Sequence, residues 1–208
     1  MTQLTVYGPT ISTYVRTVRM VLEETNTSYE LQDVDIFTAR TSEYLELNPF
    51  GKVPAMKVDG QILYETSAIV EYLNVAVADR AFVPEDPMGQ ARMRQIMSIM
   101  DNYLYGPAIS EITIQRLIVP SQGGQPDEAA IQNAVPKAKT ALDAIESISS
   151  CDPFLLGNTI TLADFYLMPV VLYLSKTPEM SPVTAQTPKL KSWWDSIHQR
   201  PSFQKVIA

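Results

Sequence analysis

The stretch that decides the fold is NPFGKVPAMKVDGQILYETSAI, residues 48–69. Within it, the segments Ala55–Val58 and Gln61–Tyr64 flank Asp59-Gly60, which is a strong two-residue signal for a β-hairpin. A helical pattern follows, because apolar residues recur on one face at Ala68, Ile69, Tyr72, Leu73 and Ala76. The stretch therefore predicts a loop, an antiparallel hairpin and a helix in succession.

The residues before this stretch extend the pattern toward the N-terminus. Leu4 to Tyr7 is typical of a short strand closed by Gly8-Pro9, and Val15, Val18 and Leu22 mark one face of a helix. Tyr29–Asp33 predicts a second strand and Ser42–Leu47 a short helix. The order βαβ–α–ββ–α is that of a thioredoxin-like domain, which we assign to residues 1–79, with the first two strands parallel.

The residues after it are of a different kind. Residues 80–88 contain two prolines and acidic residues, and they predict a linker. From residue 89 to 208 every periodic segment is helical, so we expect an all-α second domain. Thr161 and Asp164 fit a capping box at the start of one of its helices, and the last predicted helix spans about Lys189–Gln199.

Composition and charge narrow the function. Of the 208 residues, 46% are hydrophobic and the net charge is −7, which argues against a nucleic-acid partner. Cys151 and His198 are the single cysteine and histidine, so an internal disulfide is excluded and a structural zinc site is not expected. No apolar run is long enough to span a bilayer and no signal peptide is evident, so we expect a protein of the reducing cytoplasm.

Two segments predict a pocket for a small anionic peptide. A Val53-Pro54 bond between a glycine-containing loop and a strand can be cis, which exposes the preceding backbone N–H and C=O for pairing with an extended peptide. Glu65 and Thr66 stand just before a helix, where free N–H groups and the positive helix end suit a carboxylate.

These motifs together resemble the glutathione-binding motifs of the cytosolic glutathione transferases. The resemblance covers the whole chain, and the turn after the first strand is similar to that of the serine-type transferases, closest to the phi class. The segments that carry it are Ser12-Thr13-x-x-Arg16, Asn48–Pro54, Glu65-Thr66, Gly157-Asn158-x-x-Thr161-Leu162-Ala163-Asp164, and the tail around Trp193-Trp194 and Arg200-Pro201-Ser202.

The resemblance implies an activity and an assembly. We expect a homodimeric enzyme that conjugates reduced glutathione to small hydrophobic electrophiles or reduces organic hydroperoxides with it. Glutathione is then a cosubstrate, and neither a metal nor an organic cofactor is required. Phe50 is expected to insert into an apolar pocket of the partner subunit. The rival function, from another class, is a transferase-fold module that binds ligands or proteins without catalysis, and fold alone does not separate the two.

The resemblance also assigns glutathione contacts residue by residue. Glu65 and Thr66 would hold the γ-glutamyl end, with Thr66 standing where the family has serine. Val53, beside Pro54, would pair through its backbone with the cysteinyl part. Lys52 and Arg40 would contact the glycine carboxylate, although phi-class sequences usually have glutamine at Lys52 and His-Lys at Ala39-Arg40. For Arg40, a solvated surface charge is the alternative.

Ser12 is the predicted catalytic residue. By the resemblance it donates a hydrogen bond to the glutathione sulfur and stabilises the thiolate, helped by the adjoining helix end. Two alternatives stay open: Ser12 is simply an N-cap, or Tyr7 is the catalytic hydroxyl instead of a core or dimer-contact residue. Without a cysteine in this turn, chemistry through a mixed disulfide is disfavoured.

The electrophile site is predicted less directly. Because the helix after the linker faces the site in this family, Met100 and Tyr103, together with Ile11, are expected to border the acceptor pocket. The alternative is that the methionine stripe at helical spacing belongs to the core of the second domain.

Overall fold

A computed structural model gives the structure of residues 3–35 and 41–208. Its four-stranded sheet has the order β2-β1-β3-β4, with β1 at Leu4–Tyr7, β2 at Glu30–Gln32, β3 at Ala55–Val58 and β4 at Gln61–Tyr64. β1 runs parallel to β2, and the pairs β1–β3 and β3–β4 are antiparallel. The predicted thioredoxin-like arrangement is therefore confirmed.

Three helices accompany the sheet: α1 at Thr13–Glu24, α2 at Ser42–Leu47 and α3 at Thr66–Ala76. α1 packs against α3 and β1, and its residues Val15, Val18 and Leu22 are fully buried, as the apolar spacing predicts. Ile69 and Leu73 of α3 are equally inaccessible. Burying such side chains contributes about 1.5–3 kcal/mol each, which holds the two helices together.

After α3, the regular elements of the described chain are helical, and their bounds follow in order: α4 Pro87–Ile99, π-helical turns Met100–Leu104 and Gly106–Ile118, α5 Val119–Ser121, α6 Glu128–Ile148, α7 Leu162–Leu174, α8 Met180–Val183, α9 Pro188–Ile197 and α10 Pro201–Ile207. In the π-helical stretch the hydrogen bonds reach back five residues, as from Tyr105 N–H to the Met100 carbonyl. Among these elements, α5, α8, α10 and the π-helical geometry were not predicted.

The helix α7 forms the centre of the helical core and starts with the predicted capping box. The carboxylate of Asp164, which is inaccessible to solvent, accepts hydrogen bonds from the Leu155 and Thr161 N–H groups, the Thr161 hydroxyl and the Trp193 indole, at 2.8–2.9 Å. These four donors satisfy a buried carboxylate and join three segments of the helical unit.

Two compact units divide the chain: Met1–Phe82 with Gln199–Ala208, and Val83–His198. The boundary at residues 82 and 83 lies within the segment predicted as a linker. The last ten residues differ from the expectation, since α10 packs against α1 and belongs to the first of the two units. Its Phe203 and Val206 are buried, so apolar contact explains the attachment.

Across the part of the chain that the structure describes, every helix is too short or too polar to cross a membrane.

Candidate functional site

The sheet topology brings three of the predicted motifs to one end of the sheet. β1 ends at Tyr7, β3 begins at Ala55 and β4 ends at Tyr64, and the register places these three residues side by side. The turn after β1, the loop before β3 and the start of α3 therefore lie together. Residues as distant in sequence as Ser12 and Thr66 converge because neighbouring antiparallel strands alternate in direction.

Ser12 occupies the N-cap of α1 with extended backbone dihedrals. Its Oγ accepts a hydrogen bond from the Val15 N–H at 3.4 Å. As an acceptor in this contact, the hydroxyl keeps its hydrogen for donation to a second partner. Arg16, which is buried, donates from Nε to the Thr10 carbonyl at 2.8 Å and so holds the turn that carries Ser12. The N-cap role and the donor role are thus compatible.

Gly8 joins this turn to the loop that precedes β3. Its φ of +143° is one that residues with a side chain rarely adopt. A Cβ at this position would lie 3.0 Å from the Val53 Cβ and 2.5 Å from the Val15 Cγ2. The absence of a side chain therefore lets Val53 approach the start of α1 closely.

The loop before β3 leaves the backbone of Val53 available. The Val53-Pro54 bond is cis, as predicted. Among the described residues, none hydrogen-bonds to the Val53 N–H or C=O. The carbonyl before it is held firmly, because the Lys52 oxygen accepts from the Tyr44 hydroxyl at 2.7 Å and from the Asn48 Nδ2 at 2.8 Å. From the sequence neither donor had a predicted role of its own, although Asn48 belongs to the motif Asn48–Pro54.

Glu65 and Thr66 form the start of α3. Glu65 has φ 69° and ψ 115°, a sparsely populated conformation that costs about 1–3 kcal/mol. Its side chain does not cap the helix. The first N–H groups of α3 thus lack the side-chain acceptor that Ser12 provides for α1, and they suit a carboxylate ligand. Thr66 is buried at this helix end, whereas Glu65 is exposed.

Tyr7 lies in a small apolar cluster on the sheet. It packs with Val34, Leu47 and Val53 against the buried pair Tyr44 and Ala55. Burial raises the pKa of the Tyr44 phenol to about 12, against a smaller opposing effect of the Ala55 backbone. The half-buried position of Tyr7 agrees with the core alternative for this residue.

The other predicted contacts lie as follows. Lys52 is exposed beside Val53. Arg40 lies outside the described residues. Phe50 is 59% exposed, and its ring makes an edge contact with the ring of Tyr64, with centroids 6.0 Å apart and an interplanar angle of 75°. An exposed pair of aromatic rings on one surface is typical of an interface.

The three residues predicted for the acceptor pocket differ in exposure. Ile11, next to Ser12, is 50% exposed. Met100 is 1% exposed within the helical unit, which agrees with the core alternative for that residue. Tyr103 is 66% exposed and lines a groove between the π-helical stretch and α6. The assignment of these residues to the acceptor pocket stays a prediction.

Metal ligands are not grouped in the described part of the chain: no three side chains of His, Cys, Asp or Glu lie close enough there to hold an ion. The candidate site consists of the Ser12 and Thr66 hydroxyls, backbone groups, the Glu65 carboxylate and Lys52.

Comparison with known proteins identifies the family. The family model of the glutathione S-transferase N-terminal domain matches residues 11–76, and the family model of the C-terminal domain matches residues 97–201. Glutathione S-transferase F13 of Arabidopsis thaliana is 33% identical over 205 residues, which are 96% of this chain and 93% of the relative. The phi-class resemblance agrees with such relatives.

Solved structures agree with the sequence comparison. Glutathione transferase F7 from Populus trichocarpa superposes with a TM-score of 0.84 at 32% identity, covering 98% of this chain and 97% of its own. Glutathione S-transferase I from mais, solved with an atrazine glutathione conjugate, gives a TM-score of 0.84 at 30% identity, covering 99% and 96%. By both domains and over nearly its full length, this chain belongs to the glutathione S-transferase family.

Proposed function

We propose that this protein binds reduced glutathione at the end of its sheet, stabilises the thiolate through Ser12 and adds the sulfur to small hydrophobic electrophiles. The observation that carries the proposal is the convergence of the Ser12 hydroxyl, the unpaired Val53 backbone and the uncapped start of α3. A relative solved with an atrazine glutathione conjugate supports conjugation as the reaction.

Each group has a role in this mechanism. The N–H groups at the start of α3, with Glu65 and Thr66, take the γ-glutamyl end, and the Val53 backbone pairs with the cysteinyl part. Lys52 and Arg40 are proposed for the glycine carboxylate. The peptide is thereby held by groups other than Ser12, so that binding and thiol activation are separable.

Ser12 acts on the sulfur as a hydrogen-bond donor. Lowering a thiol pKa by about two units takes about 2.7 kcal/mol, which one charge-assisted hydrogen bond and the positive end of α1 can supply. The thiolate then attacks the electrophilic carbon, a C–S bond forms, and the leaving group departs with its electron pair. Ser12 forms no covalent bond with glutathione or the electrophile during these reaction steps.

The substitution Ser12→Ala tests the proposal. Loss of one hydrogen bond to a charged sulfur should lower turnover of a chlorodinitrobenzene-type acceptor about 10- to 100-fold, with a much smaller change in glutathione affinity. The pH profile of turnover should shift upward, because the bound thiol then titrates nearer its free value. A hydroperoxide assayed in parallel measures the second expected activity.

Tyr7→Phe is the matched control, since it removes the competing hydroxyl at the same end of the sheet. Full activity in Ser12→Ala together with loss in Tyr7→Phe would transfer the catalytic role to Tyr7. A wild-type protein that binds glutathione without turning over any acceptor would favour the non-catalytic binding module.

The proposal includes a homodimer and a cytoplasmic location. Phe50 supports the dimer, because its 59% exposed ring forms an exposed aromatic pair with Tyr64, and aromatic side chains are enriched at interfaces. The groove beside Tyr103 is a candidate socket in the partner; its volume is about 580 Å³, and its apolar wall includes Ile99, Pro107, Ala141 and Ala144. The single buried Cys151 supports the cytoplasmic location.

A further inference from the structure

Tyr44 is a buried residue of α2, a helix whose other side chains face solvent or are only partly covered. Its ring packs with Ala55, beside Tyr7 and Val53, and its backbone N–H is bound by the Thr41 hydroxyl that caps the helix. The side chain therefore has one orientation, set by the packing of its ring.

The Tyr44 hydroxyl leaves the helix and binds the loop. It donates to the Lys52 carbonyl at 2.7 Å, and Asn48 donates to the same oxygen at 2.8 Å. Asn48 is the C-cap of α2, and its Oδ1 also accepts from the Phe50 N–H at 3.0 Å. Tyr44 is the donor that lies within α2, so its hydroxyl ties the loop to the body of that helix.

Fixing the Lys52 oxygen also fixes the next N–H. A trans peptide is planar, and its C=O and N–H point in opposite directions. Because two donors hold the Lys52 oxygen on the side of Tyr44 and Asn48, the Val53 N–H must point away from them. The Val53 N–H has no hydrogen-bond partner among the described residues.

We propose that Tyr44 is a positioning residue whose hydroxyl orients the Lys52–Val53 peptide so that the Val53 N–H meets the cysteinyl part of bound glutathione. The assignment rests on the proposed function and adds to it a residue that does not touch the substrate. It gives α2 a role in substrate affinity through one side chain.

The hydroxyl is suited to a constant role. Since burial raises the pKa of Tyr44 to about 12, the phenol stays protonated, and remains a donor, over the range in which a glutathione thiol titrates. Substrate positioning by Tyr44 should therefore be independent of pH where catalysis is measured.

The test is Tyr44→Phe, which removes the hydroxyl and keeps the ring. Loss of one neutral hydrogen bond that orients a binding group should raise the Kd for glutathione about 3- to 10-fold, measured by calorimetric titration. Turnover at saturating glutathione and its pH profile should stay at wild-type values, because Ser12 is unchanged. The Val53 amide resonance should shift less on glutathione addition than it does in the wild type.

Tyr29→Phe is the matched control. The Tyr29 hydroxyl donates to Glu23 at 3.1 Å and accepts from Arg19 Nε at 3.0 Å, in the same unit and outside the loop. The variant Tyr29→Phe should lower the melting temperature about as much as Tyr44→Phe does, and it should leave the Kd for glutathione unchanged.

The outcomes separate the two proposals. If the wild type binds glutathione and Tyr44→Phe binds it with the same Kd, the positioning role alone is overturned. The same conclusion follows if Tyr29→Phe loses as much affinity as Tyr44→Phe. If the wild type fails to bind glutathione, the proposed function is overturned and this assignment with it.

Discussion

The helix α10 allows a quantitative prediction, because it lies at the C-terminal end of the sequence and packs on the N-terminal unit. Phe203 is 1% exposed and Val206 2% exposed where α10 meets α1. Polar contacts surround them: Glu24 binds Arg200 and, at 2.5 Å, Ser202, while Arg19 donates to the Val206 carbonyl at 3.1 Å. We predict that Phe203→Ala destabilises the unit that holds the glutathione site.

The magnitude follows from burial. A phenylalanine side chain buries about 150–200 Å² of apolar surface, which at about 25 cal/mol per Å² corresponds to about 4–5 kcal/mol. Measured truncations of buried phenylalanine cost about 3–5 kcal/mol. Taking about 4 kcal/mol, and about 2–4 °C for each kcal/mol in a protein of this size, the melting temperature should fall by about 8–16 °C.

Calorimetry measures this shift, and hydrogen exchange locates it. Peptides from β1 and α1 should exchange faster in Phe203→Ala, whereas peptides from α6 and α7 should change less. Lys205→Ala is the control on the same helix; Lys205 is exposed, and its ion pair with Glu23, at 3.3 Å, should contribute less than about 1 kcal/mol. A shift below about 3 °C, or faster exchange confined to residues 199–208, would refute the view that α10 is integral to this unit.

Two further predictions concern Phe50 and Cys151. Phe50→Ala should weaken the proposed dimer by about 2–4 kcal/mol, which is about 30- to 1000-fold in the dimer Kd, measured by sedimentation or light scattering. Met88→Ala removes another exposed apolar side chain and should leave the dimer Kd unchanged, and a wild-type monomer at micromolar concentration would contradict the dimer. Burial, followed by the charge of Glu146, raises the pKa of the Cys151 thiol from 9.0 to about 12. As the pH rises, the thiol of the unfolded chain therefore ionises before that of the folded protein. The contribution of this thiol to the free energy of unfolding is complete below pH 9 and falls between pH 9 and 12. Urea unfolding at pH 7 and pH 10 gives the loss of unfolding free energy between the two pH values. This loss should be about 1 kcal/mol smaller in Cys151→Ala than in the wild type, and an equal loss in both proteins would argue against the raised thiol pKa.

Much of the fold follows from short-range patterns in the sequence. Asp59-Gly60 fixes the hairpin of β3 and β4, and the spacing of Val15, Val18 and Leu22 fixes the buried face of α1. Thr161 and Asp164 form the capping box that their spacing predicts. Turn chemistry, helical periodicity and capping each involve residues within a few positions of one another, so they are readable before the chain folds.

Some residues of the candidate site were likewise indicated by sequence motifs, whereas others were recognised only in the folded structure. Ser12, Val53, Glu65 and Thr66 were found because they lie in motifs at recognisable spacing, and the sheet register explains why those motifs meet. Tyr44 had no comparable signal, because an aromatic residue in a short helix is ordinary, and its hydrogen bond to the Lys52 carbonyl exists only once α2 and the loop are in place. The close approach of Gly8 to Val53 likewise depends on the pairing of β1 with β3.

The sequence by itself therefore determined the order of strands and helices from β1 to α3, the family to which the motifs point, and the candidate Ser12. Only the tertiary structure decided that α10 joins the N-terminal unit, that Met100 is buried, and that two donors fix the Lys52 carbonyl beside Val53. The physical reason is range. Local dihedral and periodicity preferences act between near neighbours, whereas burial and the pairing of donors with acceptors depend on segments as far apart as Arg19 and Val206.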